Sequence, residues 1–172
     1  MTYSIAGTMC RVLAPRHRLS CSWLVWRRLC RRLRERGLGR SRESGAFLIG
    51  QRQGGRARIL DFVLYDDLDP HCLDQGLVRF DGRYFGELWA ICKARGVSVV
   101  ADVHVHPGGA GQSTLDREHP MISLPGHLSL ILPRFAARPV RRRDMGIYRY
   151  LGGKRWDTVP ASERRSFFHI GL

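Results

Sequence analysis

The sequence predicts a single α/β domain, from its length and from three periodic patterns. The chain has 172 residues, which suits one domain and is enough to enclose a hydrophobic core. A stripe of apolar residues at helical spacing starts at Leu19, two apolar runs flank Gly54-Gly55, and residues 97–106 alternate with the period of a strand. Strands interspersed with helices in this way predict a sheet covered by helices.

Residues 1–18 show no clear period and are predicted to form an N-terminal extension, so the domain itself spans residues 19–172. The first helix is predicted from Leu19, and Gly37 and Gly39 end it. A basic amphipathic helix can bind membranes or target proteins, but two tryptophans on its apolar stripe favour packing against a sheet. The predicted core stripe consists of Leu19, Trp23, Trp26, Cys30 and Leu33.

Two strands are predicted next, over residues 43–50 and 59–65, and they form a hairpin across Gly54-Gly55. Residues 66–81 are rich in turn-forming residues. They are predicted to be a loop, with one short strand at 77–80.

A second helix is predicted to be capped by Asp81 and ended by Gly96. Its core stripe is predicted to be Tyr84, Phe85, Leu88, Ile91 and Cys92. The last third of the chain is predicted to contain a strand at 127–132, a hairpin of 146–151 with 156–159, and a short helix or strand within 161–172.

The strand at residues 97–106 carries the residues with catalytic chemistry. Alternation places Asp102, His104 and His106 on one face and a row of small apolar residues on the other. Two histidines at i and i+2 lie roughly 6.6 Å apart at the backbone, so both imidazoles can reach one ion at the ~2.0–2.1 Å bonds that zinc requires. Pro107-Gly108-Gly109 ends the strand. The apolar row is predicted to be Val97, Val99, Ala101, Val103 and Val105.

Ser113 is placed to cap a following helix and to put Asp116 in its first turn, where the carboxylate can swing back towards His104 and His106. Zinc sites with three protein ligands keep a fourth position for water, whereas structural sites fill all four. The joint pattern therefore predicts one catalytic zinc per chain, although a lone H-x-H is more typical of half-buried histidines. Asp102 is predicted to orient one of the histidines, or else to be a cap or a surface residue.

These residues resemble the signature of the JAB/MPN (JAMM) zinc metalloproteases, an upstream glutamate followed by H-x-H-P, a loop and S-x-x-D. The resemblance covers most of the chain, from Glu43 onwards, and implies a mixed β-sheet flanked by helices in a cytidine-deaminase-like α-β-α arrangement. It also implies that Glu43 is the catalytic base. The family usually has one residue more in the loop than the six, Pro107 to Gln112, found here, and glycines allow the loop to shorten.

The resemblance implies an activity as well. JAB/MPN metalloproteases hydrolyse the peptide or isopeptide bond after the C-terminal glycine of ubiquitin-like modifiers. Glu43 would accept and deliver the proton, and Ser113 would donate a hydrogen bond to the oxyanion. The HVHPGG and PGHLSLILP stretches are similar to the prokaryotic branch. That branch implies a ubiquitin-like modifier and its conjugates as partners, with E1-like and E2-like enzymes of bacterial conjugation systems, several of them antiviral.

By position, the loops around Asp67–Asp81 and Glu118–His127 are expected to hold the modifier. Three alternatives stay open: a peptidase for a sulfur-carrier protein, a non-catalytic scaffold of MPN type, and a basic nucleic-acid-binding module. The intact set of glutamate, histidines, serine and aspartate argues against the scaffold. A net charge of +14 and a pI near 10.9 favour the third. The arginines of Trp23–Arg36 lie opposite a core stripe, however, so nucleic-acid binding is expected to be weak and steeply salt-dependent.

No stretch approaches the ~18–20 apolar residues of a membrane span, and the N-terminus lacks the order of a secretory signal. A cytoplasmic location without a membrane partner is therefore expected. The cysteines show no C-x-x-C spacing and are predicted to be reduced, mostly buried and free of disulfides. They are Cys10, Cys21, Cys30, Cys72 and Cys92.

Overall fold

A computed structural model describes residues 17–76 and 78–171 of the chain. The predicted N-terminal extension therefore lies almost wholly outside the described residues, as does Cys10. Within the described ranges, eight strands form one mixed sheet that is accompanied by five α-helices. This arrangement confirms the predicted α/β class.

The strands are β1 Leu19–Ser22, β2 Gly45–Gln53, β3 Arg56–Leu64, β4 Ser98–Val105, β5 Leu128–Leu132, β6 Gly146–Gly152, β7 Arg155–Thr158 and β8 Phe168–Gly171. The helices are α1 Trp23–Arg36, α2 Tyr65–Leu68, α3 Phe85–Arg95, α4 Thr114–Glu118 and α5 Arg164–Phe167, with 3-10 turns at Gly82–Tyr84 and Arg134–Ala136. Across the sheet the strand order is β7-β6-β5-β4-β2-β3-β1-β8. Strand β4 is thus central, parallel to β5 and antiparallel to β2.

Two hydrophobic cores lie on opposite faces of this sheet. Helix α1 buries Leu29 and Leu33 in the core that contains Val103 of β4. Helix α3 buries Leu88 in the other core, against Phe47 of β2. Full burial of one such side chain stabilises the fold by roughly 1.5–3 kcal/mol, so both helices are fixed mainly by their apolar faces.

The first helix starts later than the sequence predicts. Leu19–Ser22 form a strand, and Ser22 caps α1 by accepting a hydrogen bond from the Val25 backbone N–H. Trp23 is half exposed and was wrongly placed in the core stripe, while Trp26 is buried as predicted. The error arises because β1 is defined by its pairing with β3 and β8, which are distant in the sequence.

Strand β4 contains an extra residue, Val100, between its pairings with Leu48 and Ile49 of β2. Such a bulge reverses the faces of all residues on one side of it. Val97 and Val99 therefore pack in the core under α3 and not in the core under α1, where the alternation placed them. From the bulge to the carboxyl end of β4, the predicted alternation is confirmed.

Most other predicted elements are present. The two hairpins form, and Asp81 caps the 3-10 turn that leads into α3, which ends at Gly96 with a positive φ of 62°. Residues 78–80 form no strand, since Arg79 donates its backbone N–H back to the Cys72 carbonyl within the loop. The tail contains both a helix, α5, and a strand, β8.

The described cysteines behave as small buried hydrophobes. Cys21, Cys30, Cys72 and Cys92 are all free and buried, as predicted. Burial raises the pKa of the Cys21 and Cys30 thiols to about 12, which keeps them protonated at neutral pH. Among the described residues, no helix is both long and apolar enough to cross a membrane.

Candidate metal centre

The three predicted metal ligands converge at the carboxyl end of β4. The Nε2 atoms of His104 and His106 are 3.0 Å apart. The Asp116 carboxylate brings one oxygen to 3.2 Å from Nε2 of His104 and the other to 3.3 Å from Nε2 of His106. One ligand atom from each residue lies within 4.8 Å of the other two.

The donor set has the chemistry and spacing of a three-ligand zinc site. Ligand atoms bound to a tetrahedral zinc at ~2.0–2.1 Å are about 3.3 Å apart, which is close to the separations between these three side chains. Two imidazole nitrogens that face each other at 3.0 Å need a shared proton or a cation between them. The residues therefore fit a metal ion, and their mixture of nitrogen and carboxylate donors suits zinc.

Hydrogen bonds hold His106 and Asp116 in place. Just beyond β4, His106 donates its backbone N–H to Leu132 and accepts from Phe135, which fixes the residue after the strand ends. Asp116 and Ser113 form the predicted capping box: the Ser113 oxygen accepts from the Asp116 N–H at 3.1 Å, and the carboxylate accepts from the Ser113 N–H at 2.6 Å. The six-residue loop is thus long enough to bring Asp116 to both histidines.

Glu43 lies beside the three ligands but outside their set. It precedes β2, and its backbone N–H donates to the Gly76 carbonyl. One carboxylate oxygen is 3.9 Å from Nε2 of His106. Burial is the main cause that raises the pKa of Glu43, and the charge of Asp116 adds to it, while His106 and His104 act in the opposite direction. A carboxyl group with a raised pKa is suited to accepting and returning a proton near neutral pH.

The metal ligands also shift one another's pKa values. Burial alone would raise the pKa of Asp116, but hydrogen bonds from His104, His106 and Ser113 hold it well below its usual range. Burial lowers the pKa of His104, and the Asp116 carboxylate more than offsets this, so that the net direction is upward. Asp116 is therefore ionised under ordinary conditions, as a metal-binding carboxylate must be.

Asp102 belongs to a second cluster, which the sequence alone did not predict. One of its oxygens accepts from Nε2 of His127 at 2.7 Å, and the other accepts from the Ser129 hydroxyl at 2.9 Å and the Tyr65 hydroxyl at 3.3 Å. Asp102 is 1% exposed and its hydrogen bonds reach none of the metal ligands, so both predicted roles, an orienting partner of a metal histidine and a cap or surface residue, are wrong. Gly45 leaves room for this cluster, since a Cβ there would come within 2.2 Å of the Tyr65 ring.

A cleft of about 780 Å³ is lined by Glu43, His104 and Asp116, and also by Asp102 and Ser129. One wall comes from the loop before α3 and from α3 itself, and includes Phe80 and Trp89. The other wall comes from the segment after α4, and includes Met121 and Ile122. Both loops that were expected to hold a substrate therefore border the site.

Comparisons with known proteins agree with this geometry at a coarse level. No family model matches the chain. A segment of 68 residues is 35% identical to the "Probable metalloprotease y4jG" of Sinorhizobium fredii, and it spans 40% of this chain and 42% of that relative. The chain thus spans less than half the length of this relative.

Two solved structures resemble the whole fold. A protein from Desulfitobacterium hafniense, DSY2949, matches with a TM-score of 0.61 and 16% identity over 88% of this chain and 92% of its own. A protein from Salinibacter ruber matches with a TM-score of 0.51 and 16% identity over 81% and 88%. These structures support the fold alone. The named relative and the His-His-Asp cluster together support a metallopeptidase in general, with a metal ion at this site.

Proposed function

We propose that the chain is a zinc-dependent peptidase of JAB/MPN type, which hydrolyses the peptide or isopeptide bond after the C-terminal glycine of a ubiquitin-like modifier. The observation that carries the proposal is the convergence of His104, His106 and Asp116 with Glu43 at their side, at the base of a cleft. The modifier as substrate class comes from the resemblance of the E, H-x-H-P and S-x-x-D motif to that family.

The metal would be held by the two histidines and Asp116. When bound, zinc lowers the pKa of a water molecule from about 15.7 towards ~7 and polarises a carbonyl group. Asp116 stays ionised and Ser113 restrains its carboxylate, so the ligand set needs little rearrangement. This pre-organisation favours tight and specific metal binding.

Glu43 would act as the proton carrier. It accepts a proton from the water whose oxygen attacks the carbonyl carbon, and it delivers that proton to the amine nitrogen as the C–N bond breaks. The position of its carboxylate, 3.9 Å from His106 and outside the metal ligands, supports this role. The burial that raises its pKa also favours return of the proton to the leaving group.

Ser113 has two possible contributions that compete with each other. In the structure its hydroxyl donates to the Asp116 carboxylate at 2.8 Å. A hydroxyl carries one proton, so Ser113 cannot donate to Asp116 and to an oxyanion at the same time. We therefore assign Ser113 first to positioning Asp116, and its role as an oxyanion donor requires the hydroxyl to rotate during the reaction.

The biological setting follows from the same resemblance. The chain would process a modifier precursor or remove the modifier from its conjugates in the cytoplasm, together with the E1-like and E2-like enzymes of a bacterial conjugation system with an antiviral role. A peptidase for a sulfur-carrier protein is the second candidate, since it would use the same residues on a related tail. The two differ in the protein that carries the C-terminal glycine.

Replacing Glu43 by glutamine tests the proposal. The amide is nearly isosteric with the carboxylate but takes up no proton at neutral pH, and loss of a general base commonly costs ~10²–10⁴-fold in rate. We expect Glu43→Gln to keep the fold and the zinc, measured by elemental analysis, while release of a C-terminal extension falls by that factor. The substrate arms are a ubiquitin-like protein and a sulfur-carrier protein, each extended beyond its terminal glycine.

The matched control is Glu87→Gln, the same chemical change on the exposed side of α3. It should retain both zinc and activity. Wild-type cleavage by Glu43→Gln would exclude Glu43 as the base. Zinc binding without cleavage of either substrate by the wild-type protein would favour the non-catalytic scaffold.

A further inference from the structure

A second groove, of about 1160 Å³, lies at the other end of the sheet. It borders the start of β4 at Ser98, whereas the metal ligands lie at the end of that strand. Ser98 and His104 are six positions apart on this strand, which corresponds to about 20 Å. None of the residues that line this groove lines the cleft over the metal centre. We call it the basic groove.

The floor of the basic groove is a row of polar side chains across four neighbouring strands. Ser20 of β1 pairs with His169 of β8 on one side and with Arg58 of β3 on the other, and Arg58 pairs with Gln51 of β2. Residues directly opposite each other in a sheet share a face, so these side chains stand side by side. Arg56 lies two residues from Arg58 and adds a second cation on the same face.

Two stacked imidazoles form one wall. The rings of His17 and His169 are 4.7 Å apart between centroids and tilted by only 16°. Nδ1 of His17 is 2.6 Å from the Ser166 carbonyl oxygen, which fixes the ring. Gly171 accommodates the pair, because a Cβ there would come within 2.2 Å of Nε2 of His169. The groove therefore offers flat aromatic surface beside its arginines.

The basic groove is rich in positive charge. Among the described residues, its lining includes Arg52, Arg56 and Arg58 but no aspartate or glutamate. Within residues 17–76 and 78–171, none of the three forms an ion pair, and the Arg52 guanidinium is fixed by donating to the Val100 carbonyl at 2.7 Å. Elsewhere arginines meet carboxylates: Arg28 and Arg95 both pair with Asp61.

We propose that the basic groove binds single-stranded nucleic acid without sequence preference. The arginines would contact phosphates, Gln51 would donate a hydrogen bond to the sugar–phosphate backbone, and the imidazole pair would stack on a base. Single-strand binding sites commonly combine a positive groove with such stacking surfaces. An acidic peptide would use the arginines but has no use for the stacked rings, so the aromatic wall favours a nucleic acid.

The proposed binding has the weak, salt-dependent affinity for nucleic acid that is expected from the sequence. The binding surface would be the sheet and not the arginines of α1. About three phosphate contacts predict that log K falls with log salt concentration with a slope of about −2, since single strands contribute roughly −0.7 per contact. We expect dissociation constants in the micromolar range at about 50 mM salt, and no detectable preference among base sequences.

The test is fluorescence anisotropy of labelled oligo(dT) and oligo(rU) of about 20 nucleotides, between about 50 and 200 mM salt. We expect Arg56→Gln/Arg58→Gln to weaken binding about 10–100-fold at the lowest salt and to reduce the slope to roughly −0.7. The matched control is Arg138→Gln/Arg141→Gln, which removes the same charge from two exposed arginines outside the groove. It should change the affinity less than about 3-fold, because long-range charge is screened.

A variant of the imidazole pair distinguishes a nucleic acid from an acidic peptide as the ligand of the basic groove. His17→Ala should weaken oligonucleotide binding about 5-fold or more with an unchanged salt slope, since base stacking is worth ~1–3 kcal/mol. Thermal unfolding and bound zinc should match the wild type in all variants. Two results would overturn the proposal without affecting the metal centre. One is an equal loss of oligonucleotide affinity in the two double arginine variants. The other is competition by oligoglutamate that is as strong as competition by an oligonucleotide of equal charge.

Discussion

Two histidine–carboxylate clusters start from neighbouring positions on one strand, yet they have different properties. The metal cluster consists of His104, His106 and Asp116, and the Asp102 cluster consists of Asp102, His127, Ser129 and Tyr65. Asp102 and His104 are two residues apart on β4 and point to the same face. Residue type alone therefore does not distinguish a metal site from a structural network.

The distinction lies in where the lone pairs point. In the Asp102 cluster each carboxylate oxygen already accepts hydrogen bonds, and Asp102 and His127 are almost fully buried. In the metal cluster two imidazole nitrogens face each other, and the side chains of His104, His106 and Asp116 are 9–18% exposed, against 2–3% for Asp102 and His127. A metal needs convergent, accessible lone pairs, and only the metal cluster provides them.

The largest expected effect is loss of metal from the metal cluster. His104→Ala/His106→Ala removes two of three ligands, so we expect no zinc to remain after purification and dialysis, and no peptidase activity. The paired change in the Asp102 cluster, His127→Gln, should leave zinc at wild-type occupancy. Elemental analysis and native mass spectrometry measure both.

Either of two results would contradict the distinction between a metal-binding cluster and a structural one. Zinc at full occupancy in the His104→Ala/His106→Ala variant would show that the ion binds elsewhere. Loss of zinc from His127→Gln, with the fold intact by circular dichroism, would show that the Asp102 cluster also controls the metal. In that case the separation of the clusters by their hydrogen bonds would be wrong.

The sequence predicted the metal cluster and missed the Asp102 cluster for a physical reason. The metal ligands come from local geometry: the i, i+2 spacing of two histidines on a strand, and a capping box that fixes Asp116 three residues after Ser113. The Asp102 cluster depends on the parallel register that sets Asp102 opposite Ser129 of β5. Nothing local encodes that register.

The same limit explains the errors in the fold. The helices, hairpins and caps were predictable because periodicity and turn residues act within a few positions. The strand β1 and the bulge at Val100 depend on pairing with strands far away in the sequence, and the bulge alone reversed the faces of Val97 and Val99. A polar pair such as Asp102 and His127 likewise becomes recognisable only once two strands are aligned.

The second prediction concerns stability and probes the Asp102 cluster. His127→Ala leaves one oxygen of the buried Asp102 side chain without its hydrogen-bond partner, and an unsatisfied buried polar group costs about 1–3 kcal/mol. For a domain of this size that corresponds to a fall in Tm of about 2–12 °C. Because Asp102 and His127 are in direct contact, the loss of stability in Asp102→Asn/His127→Ala should be smaller than the sum of the losses in the two single variants. Additive losses in a double-mutant cycle would show that the two groups are not coupled.

The smallest expected effect lies at Ser113, which connects a structural cap to the metal cluster. Ser113→Ala removes the cap of α4 and the hydroxyl bond to the Asp116 carboxylate. Loss of the cap costs ~1 kcal/mol of stability, and loss of a group that orients a metal ligand typically weakens metal binding by 10–100-fold. We therefore expect zinc competition titrations to show a weaker site with the fold retained.

A conservative variant makes the assignment of Ser113 specific. Threonine also caps helices and keeps a hydroxyl, so Ser113→Thr should restore most of the zinc affinity that Ser113→Ala loses. If the hydroxyl acts mainly on the oxyanion, Ser113→Ala would instead keep wild-type zinc affinity and lose about 10²–10³-fold in kcat at saturating zinc. The two outcomes differ in whether the zinc affinity or kcat falls. A group that positions Asp116 acts before substrate binds, whereas an oxyanion donor acts only once the carbonyl carbon has been attacked.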